Sequence, residues 1–272
     1  MNPAVQCATL DQAQQFRPME KVLTETGAPP AASGSHAPGS VALVVPTLHE
    51  AANIGQVLER VRASLDPLAV PYELIVVDDD SQDGTENIVK QLSAQDGRVR
   101  LLVRRGERGL AGAISDGWKC SQAEAVGVID ADLQHPPELL PRMWEKMQAG
   151  YDLVIASRYA QPGSMSSWSP LRRAISELGI LLAKPLQRRT IRVKDPLSGF
   201  FLVRRRCLAG LELQRHGFKL LLEILVRGNI GSVAEVPFVF GTRQGGQSKA
   251  SLGTGLHYFY LLGRLWRKKK RN

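Results

Sequence analysis

Apolar residues in this chain follow two rhythms that take turns. A short unbroken run, "VALVV" at 41–45, meets Pro46 and gives way to a segment where Ile54, Val57, Leu58, Val61 and Leu65 recur at three- and four-residue intervals. The first pattern predicts a strand buried on both faces, the second a helix with one apolar side. The unit recurs. "ELIVV" stops at Asp78, turn residues "SQDGT" follow, and Ile88, Val89 and Leu92 mark the next helix. "VRLLV" leads into "GLAGAISDGW", and "AVGVI" leads to Asp130 and then to a helix carrying Leu139, Leu140, Met143 and Met147, closed by Gly150. "YDLVIAS" predicts one more strand. This alternation implies an α/β fold, a mostly parallel sheet with helices on both faces, with ligands bound beyond the carboxyl ends of the strands.

The polar clusters "PTLHE", "DDDSQDGT" and "DADLQH" each follow a strand, so three loops are expected to meet at one rim. Asp130 and Asp132, one residue apart on an extended segment, point the same way. Both can then address one hard divalent cation and leave coordination positions for phosphate oxygens. Asp-x-Asp alone is a weak motif that also serves as a helix cap; its place at a strand end favours the cation. Asp78 and Asp79 leave a buried strand, where an unpaired carboxylate is costly, so at least one is expected to meet a donor such as a base or ribose edge. Asp83, Gly84 and Thr85 fit an ordinary tight turn. Glu50 reads equally as a helix N-terminal charge or a ligand contact. Gly106, Gly109 and Gly112 give G-x-x-G-x-x-G, not the dinucleotide fingerprint, and read as glycines that let a helix pack closely. His135 reads as a polar loop residue, and Pro136 and Pro137 as setting the direction of the next helix.

Past Arg158 the pattern loosens. "ISELGILLAKPL" is amphipathic, "LLLEILV" predicts a helix and "SVAEVPFVF" a final strand. Near the C-terminus Leu252, Leu256, Phe259, Tyr260, Gly263 and Trp266 fall on one helical stripe that ends in "RKKKR". That stripe suits a helix lying on an anionic membrane surface, and equally one that closes the core. Arg158, Arg172, Arg173, Arg243 and Lys249 sit among Gly, Ser and Trp. "TRQGGQSK" reads as a flexible phosphate clamp or as a solvated basic loop.

Composition narrows the class. At 272 residues, 43% hydrophobic and 22% charged, one main domain is expected at 41–250, between an Ala/Pro/Gly/Ser-rich tail at 1–40 and a basic segment at 251–272. Three scattered cysteines fit neither a disulfide framework nor a zinc site, which points to a reducing compartment. No apolar run reaches the roughly 18 residues of a membrane span, and no secretory signal is recognisable, so a cytoplasmic protein peripherally associated with the membrane is expected. The net charge of +9 calls for an anionic partner. Nucleic acid is disfavoured because Lys and Arg are not interleaved with stacking aromatics.

Taken together, "VVPTLHEAANI", "ELIVVDDDSQDGT", "GLAGA", "DADLQHPPE", "SRY", "DPLSGF", "EVPFVF" and "RQGGQSK", in order from 41 to about 250, resemble the family 2 glycosyltransferases, and within them the dolichol-phosphate (polyprenol-phosphate) mannosyltransferases. The resemblance implies a GT-A fold and metal-dependent transfer, with inversion, of a sugar from a nucleotide-sugar donor to a polyprenyl phosphate, mannose from GDP-mannose first. UDP-glucose or UDP-N-acetylglucosamine as donor, or a hydroxyl acceptor, is the alternative. Carried over by position, it puts Pro46, Leu48, Glu50, Val77 and Asp79 at the nucleotide, and Asp130, Asp132 and Gln134 at Mg2+ or Mn2+ and the donor diphosphate. Arg243 and Lys249 would close on that diphosphate, with Arg158, Arg172 and Ser176 toward the acceptor phosphate. The family usually reads P-T-Y-N-E where this chain has Pro46, Thr47, Leu48, His49 and Glu50, so a stacking surface for the base is lost. A phosphomonoester has a second pKa of about 6 and needs no protein base to attack. A hydroxyl acceptor would need one, and Asp195 is the acidic residue available for it.

Overall fold

The computed structural model describes residues 37–160, 170–187, 191–215, 217, 219–239 and 260–267. Seven strands, β1 (Ala37–Thr47), β2 (Tyr72–Asp78), β3 (Val99–Val103), β4 (Ala123–Val128), β5 (Leu153–Ser157), β6 (Phe201–Arg204) and β7 (Val233–Pro237), form one sheet in the order β3-β2-β1-β4-β6-β5-β7. All pairings are parallel except those of β6, which runs against β4 and β5. The helices are α1 (Ile54–Leu65), α2 (Thr85–Gln95), α3 (Leu110–Lys119), α4 (Leu140–Gln148), α5 (Pro170–Ala183), α6 (Leu220–Arg227) and a segment at 260–267, here α7.

Strand alternation decides which helix covers which face. Val41, Leu43, Val45, Leu74 and Val76 point to the side covered by α1, α2 and α4. Ala42, Val44, Ile75 and Val77 point to the side covered by α3 and α6. Both faces are thus dry, which explains the unbroken apolar runs. At roughly 1.5–3 kcal/mol per buried aliphatic side chain, these two layers supply most of the driving force for the fold.

Strand β1 begins at Ala37, four residues inside the stretch read as tail. Those residues lack an apolar pattern, and the strand is extended instead by polar bonds: the Gly39 N–H donates to Glu124 at 2.7 Å and the Glu124 N–H to Ser40 Oγ at 3.2 Å. A second difference lies at α7. Leu261, Leu262 and Leu265 are buried in a third cluster with Ile180, Ala183, Leu186, Leu197 and Leu222, while Tyr260 and Trp266 are exposed. The described part of this helix therefore packs on the core along 261–265, not along the stripe through 260, 263 and 266. Leu252, Leu256 and Phe259 lie outside the described residues.

Because β6 is antiparallel, the loop that precedes it arrives at the rim where the parallel strands end. Residues 195–199 thereby join the loops that follow β1, β2, β4 and β5.

Candidate active site

Backbone strain concentrates on that rim. Of the five non-glycine residues with positive φ among those described, His49 (60°) follows β1, Asp80 (57°) and Gln82 (54°) follow β2, and Leu133 (60°) follows β4; only Ala69 lies elsewhere. Left-handed φ costs a residue with a β-carbon energy and persists where surrounding contacts fix it, which is typical of binding loops.

On the β1–β2–β3 side, Asp78 and Asp79 meet different fates. Asp78 accepts from Thr47 Oγ1 at 2.8 Å and the Ser81 N–H at 2.9 Å, and so closes its own loop. Asp79 accepts from Arg104 Nε at 2.9 Å and from the Gly109 N–H at 2.8 Å. Burial nevertheless holds its carboxyl above the usual range. The donors expected of a base or ribose edge are thus partly supplied by the protein. Arg104, buried at the end of β3, also reaches Asp116 at 3.5 Å, which in turn is held by both arms of Arg215. Gly112 makes room for this: a β-carbon there would stand 2.6 Å from Arg104 Nη1 and 3.2 Å from the Arg215 carbonyl. The glycines of "GLAGA" do serve close packing, and what packs is an arginine. Asp83 accepts from the Ala51 and Thr85 N–H groups, as an ordinary turn would.

Pro46 lies opposite Val77 in the β1–β2 register, and Leu48 is half-buried two residues on. The assignment of Val77 to the nucleotide pocket needs correction. Its side chain has no exposed surface and lies in the core beneath α3, so it cannot line an open pocket. Glu50 is buried, accepts from Asn53 Nδ2 at 3.1 Å, and is near enough to Asp130 to act on its ionisation.

Asp130, Asp132 and Gln134 follow β4. Asp132 accepts from the Gln134 N–H at 3.1 Å. The Asp130 side chain keeps 35% of its surface open to the rim, but protein on the other sides strips its water. That burial, reinforced by the like charge of Asp132, pushes its carboxyl up to about 7. His135 is not the polar loop residue expected: it is buried, 3.4 Å from Asp130 through Nδ1, with Phe200 and Phe238 at ring-centroid distances of 5.8 and 5.7 Å. Burial pulls its imidazole down to about 3, so it is neutral and takes no charge from Asp130. Asp130, whose proton affinity is raised in part by the charge of Asp132, and Asp132 itself suit a divalent cation. Among the described residues no three His, Cys, Asp or Glu side chains are grouped to cage a metal. The carboxylates of Asp130 and Asp132 and the side-chain amide of Gln134 offer hard oxygen donors, the kind that Mg2+ and Mn2+ take together with water and phosphate.

Beyond β4 the charge turns positive. Arg158, just after β5, gives Nε and Nη2 to Asp195 Oδ2 and Oδ1, both at 2.7 Å, and its own N–H to Oδ2 at 3.1 Å. Asp195 is wholly buried, with both carboxylate oxygens bonded to Arg158. Tyr159 donates to Ser176 Oγ on α5 at 2.7 Å, which brings Ser176 beside Arg158's neighbour. Arg172 is on the same helix; its side chain, with Arg243 and Lys249, lies outside the described residues. Lys219, at the start of α6, donates to the Leu197 carbonyl at 3.5 Å. Burial, and then Arg158, pulls its ammonium down to about 8, with Asp195 and Asp130 acting the other way.

A model of the glycosyl transferase family 2 domain matches residues 42–211, which include all three acidic loops. The chain belongs to glycosyltransferase family 2. Dolichol-phosphate mannosyltransferases resemble this glycosyltransferase over most of its length: that of Pyrococcus furiosus is 38% identical over 83% of the chain, and that of Saccharomyces cerevisiae 36% over 82%. The chain spans 63% of the archaeal relative and 86% of the yeast one. Among solved structures, glucosyl-3-phosphoglycerate synthase from Mycobacterium tuberculosis, in complex with Mn2+, uridine diphosphate and phosphoglyceric acid, superposes with a TM-score of 0.63 at 22% identity, covering 84% of this chain and 79% of that one. Mannosyl-3-phosphoglycerate synthase from Rubrobacter xylanophilus gives 0.59 at 22%, covering 85% and 74%. These likenesses establish the GT-A fold for the glycosyltransferase.

Two residues that meet the candidate site of this glycosyltransferase escaped the motifs. Arg104 has a visible signal, a charge directly after the apolar run of β3. Lys219 has none, since it precedes a helix made mostly of Leu, Ile and Val and reaches the rim only because α6 starts there.

Proposed function

We propose that this glycosyltransferase moves mannose from GDP-mannose to a polyprenyl or dolichyl phosphate, with inversion and with Mg2+ or Mn2+ present. One observation carries the reading: Asp195, the residue a hydroxyl acceptor would need as its base, has both oxygens committed to Arg158 and no exposed surface. A phosphomonoester, with a second pKa of about 6, is already a dianion and needs no base. It does need cations, and Arg158 and Lys219 stand on that side. The relatives named dolichol-phosphate mannosyltransferase support mannose and the lipid phosphate. The crystallised neighbour with Mn2+ and uridine diphosphate supports a divalent ion.

In this mechanism an acceptor phosphate oxygen bonds to the anomeric carbon from the face opposite the leaving group. The bond from that carbon to the β-phosphate oxygen breaks, and its electron pair leaves with the nucleoside diphosphate. Asp130, Asp132 and Gln134 would hold the cation, which when bound offsets charge gathering on the diphosphate. Pro46, Leu48, Glu50 and Asp79 position the nucleotide. Arg243 and Lys249 close over the diphosphate, and Arg158, Lys219, Arg172 and Ser176 orient the acceptor. Among the described residues no helix is long and apolar enough to cross a membrane. Exposed Ile175, Leu178 and Leu181 on α5 support peripheral contact with the membrane that carries the acceptor.

The test is transfer of radiolabelled mannose from GDP-mannose to a polyprenyl phosphate. A lipid-extractable product that depends on Mg2+ or Mn2+ is expected. A product formed only from UDP-glucose or UDP-N-acetylglucosamine, or only on a hydroxyl acceptor, would replace the reading with one of those.

A further inference from the structure

The loop that carries Asp195 is held from three sides. Gln187 brackets Val193, accepting its N–H at 2.8 Å and donating to its carbonyl at 3.3 Å. Ser198 Oγ donates to the Ala156 carbonyl on β5 at 2.7 Å. Between them stands Glu235 on β7, whose Oε2 accepts the Lys194 N–H at 2.9 Å and whose Oε1 accepts the Asp195 N–H at 3.1 Å. One carboxylate thus clamps two consecutive backbone amides, and the second belongs to the counter-ion of Arg158. Glu235 also lies opposite Ile155 in the β5–β7 ladder, three residues before Arg158. The strand that delivers the arginine and the strand that pins its partner are therefore hydrogen-bonded neighbours.

We propose that Glu235 is a positioning residue for the acceptor phosphate: it fixes the Asp195 backbone, Asp195 fixes the guanidinium plane of Arg158, and Arg158 meets the phosphomonoester. The proposal rests on the acceptor assigned above. Charge alone would keep Arg158 beside Asp195, but the bidentate geometry leaves the guanidinium one orientation, and that orientation is only as fixed as the Asp195 backbone. A carboxylate accepting two amides is the device that fixes it. A structural role alone would cost stability without touching recognition of one substrate.

The experiment is calorimetric titration of farnesyl phosphate into the full chain loaded with GDP and Mn2+, for wild type, Glu235→Ala, Glu235→Gln, Arg158→Met and the double variant Glu235→Ala/Arg158→Met. GDP binding with Mn2+, measured on each, reports whether the variant is folded. Glu235→Ala is expected to weaken farnesyl phosphate about tenfold, the scale of one charge-assisted hydrogen bond, with GDP binding unchanged. Glu235→Gln, which keeps one acceptor oxygen, is expected to fall between. The double variant is expected to bind no more weakly than Arg158→Met alone, because Glu235 has nothing left to act through. Wild-type affinity in both Glu235 variants, or losses that multiply in the double variant, would overturn the proposal while leaving the acceptor reading intact. A wild-type enzyme that binds GDP but no farnesyl phosphate would overturn both.

Discussion

Gly199 passes so close to Asp130 that a β-carbon at position 199 would stand 2.7 Å from Asp130 Oδ2. The loop before β6 is thus the back wall of the acidic pair, and its shape depends on a missing methyl group.

Gly199→Ala separates cation binding from folding. The atom in the way is the tip of a side chain, so the carboxylate can swing aside at little cost to the fold, but it must leave its present position to do so. Titration with Mn2+ in the presence of GDP is expected to show metal affinity reduced by about tenfold or more, the scale seen when groups that orient metal ligands are changed. The thermal midpoint is expected to stay within about 4 °C of wild type, the equivalent of roughly 1 kcal/mol. Unchanged Mn2+ affinity would show that Asp130 does not need the wall.

Lys219 gives a prediction with a definite sign in pH. Its folded-state pKa of about 8 lies below the ordinary value of 10.5. Below pH 8 the ammonium is charged in both folded and unfolded chains, and the cost of burying it is borne in full. Between about 8 and 10.5 the unfolded chain binds more protons, so this cost is relieved as pH rises. Lys219→Met is therefore expected to melt higher than wild type at pH 7, with the gap narrowing toward pH 10, while binding the phosphate acceptor less well. A variant that melts lower at pH 7 would show that the bond to the Leu197 carbonyl outweighs the burial.

How much of this could be read from the chain depends on whether the signal is local. The parallel half of the sheet was legible because β1 to β5 are buried on both faces and their helices are amphipathic, so runs and periods mark them one by one. The acidic loops were legible for the same reason: a carboxylate next to a buried strand is conspicuous. Strand β6 was not placed as such, because four residues, even with the turn residues Asp195, Pro196, Ser198 and Gly199 before them, cannot announce that they run backwards. Without β6 there was no way to know that Asp195 meets Arg158, 37 residues upstream in the chain. The burial of His135 was hidden too, since its neighbours Phe200 and Phe238 come from distant segments. Val77 shows the reverse error, in which position in a motif was taken as exposure.

Arg104→Met tests the nucleotide side. The substitution leaves Asp79 and Asp116 buried with one cationic partner fewer, and removing one member of a buried ion pair typically costs about 3–5 kcal/mol. Part of this is offset here, because Asp79 keeps the Gly109 N–H and Asp116 keeps Arg215. A loss of about 2–3 kcal/mol in urea unfolding is expected. It should be accompanied by weaker GDP binding, because the Asp79 carboxylate loses its fixed orientation. Full GDP affinity in a destabilised protein would confine Arg104 to the fold and remove Asp79 from the nucleotide site.

Asp132→Ala probes the acidic pair itself. Asp132 accepts the Gln134 N–H within its own loop, and its side chain is only half-buried, so its removal is expected to leave the thermal midpoint of the metal-free protein nearly unchanged. What it removes is half of the charge that calls for a divalent ion. In wild type, Mn2+ and GDP together should raise the midpoint more than GDP alone, since a ligand that binds the folded chain stabilises it by mass action. Chelation with EDTA should reverse the difference. In Asp132→Ala the midpoint with GDP is expected to be indifferent to Mn2+ and EDTA alike, and sugar transfer is expected to disappear. A variant that still responds to Mn2+ as wild type does would place the cation elsewhere. The negative charge of Asp130, Asp132 and Glu50 would then need a cation from the protein, and Lys219 and Arg158 both already act on Asp130 in that sense.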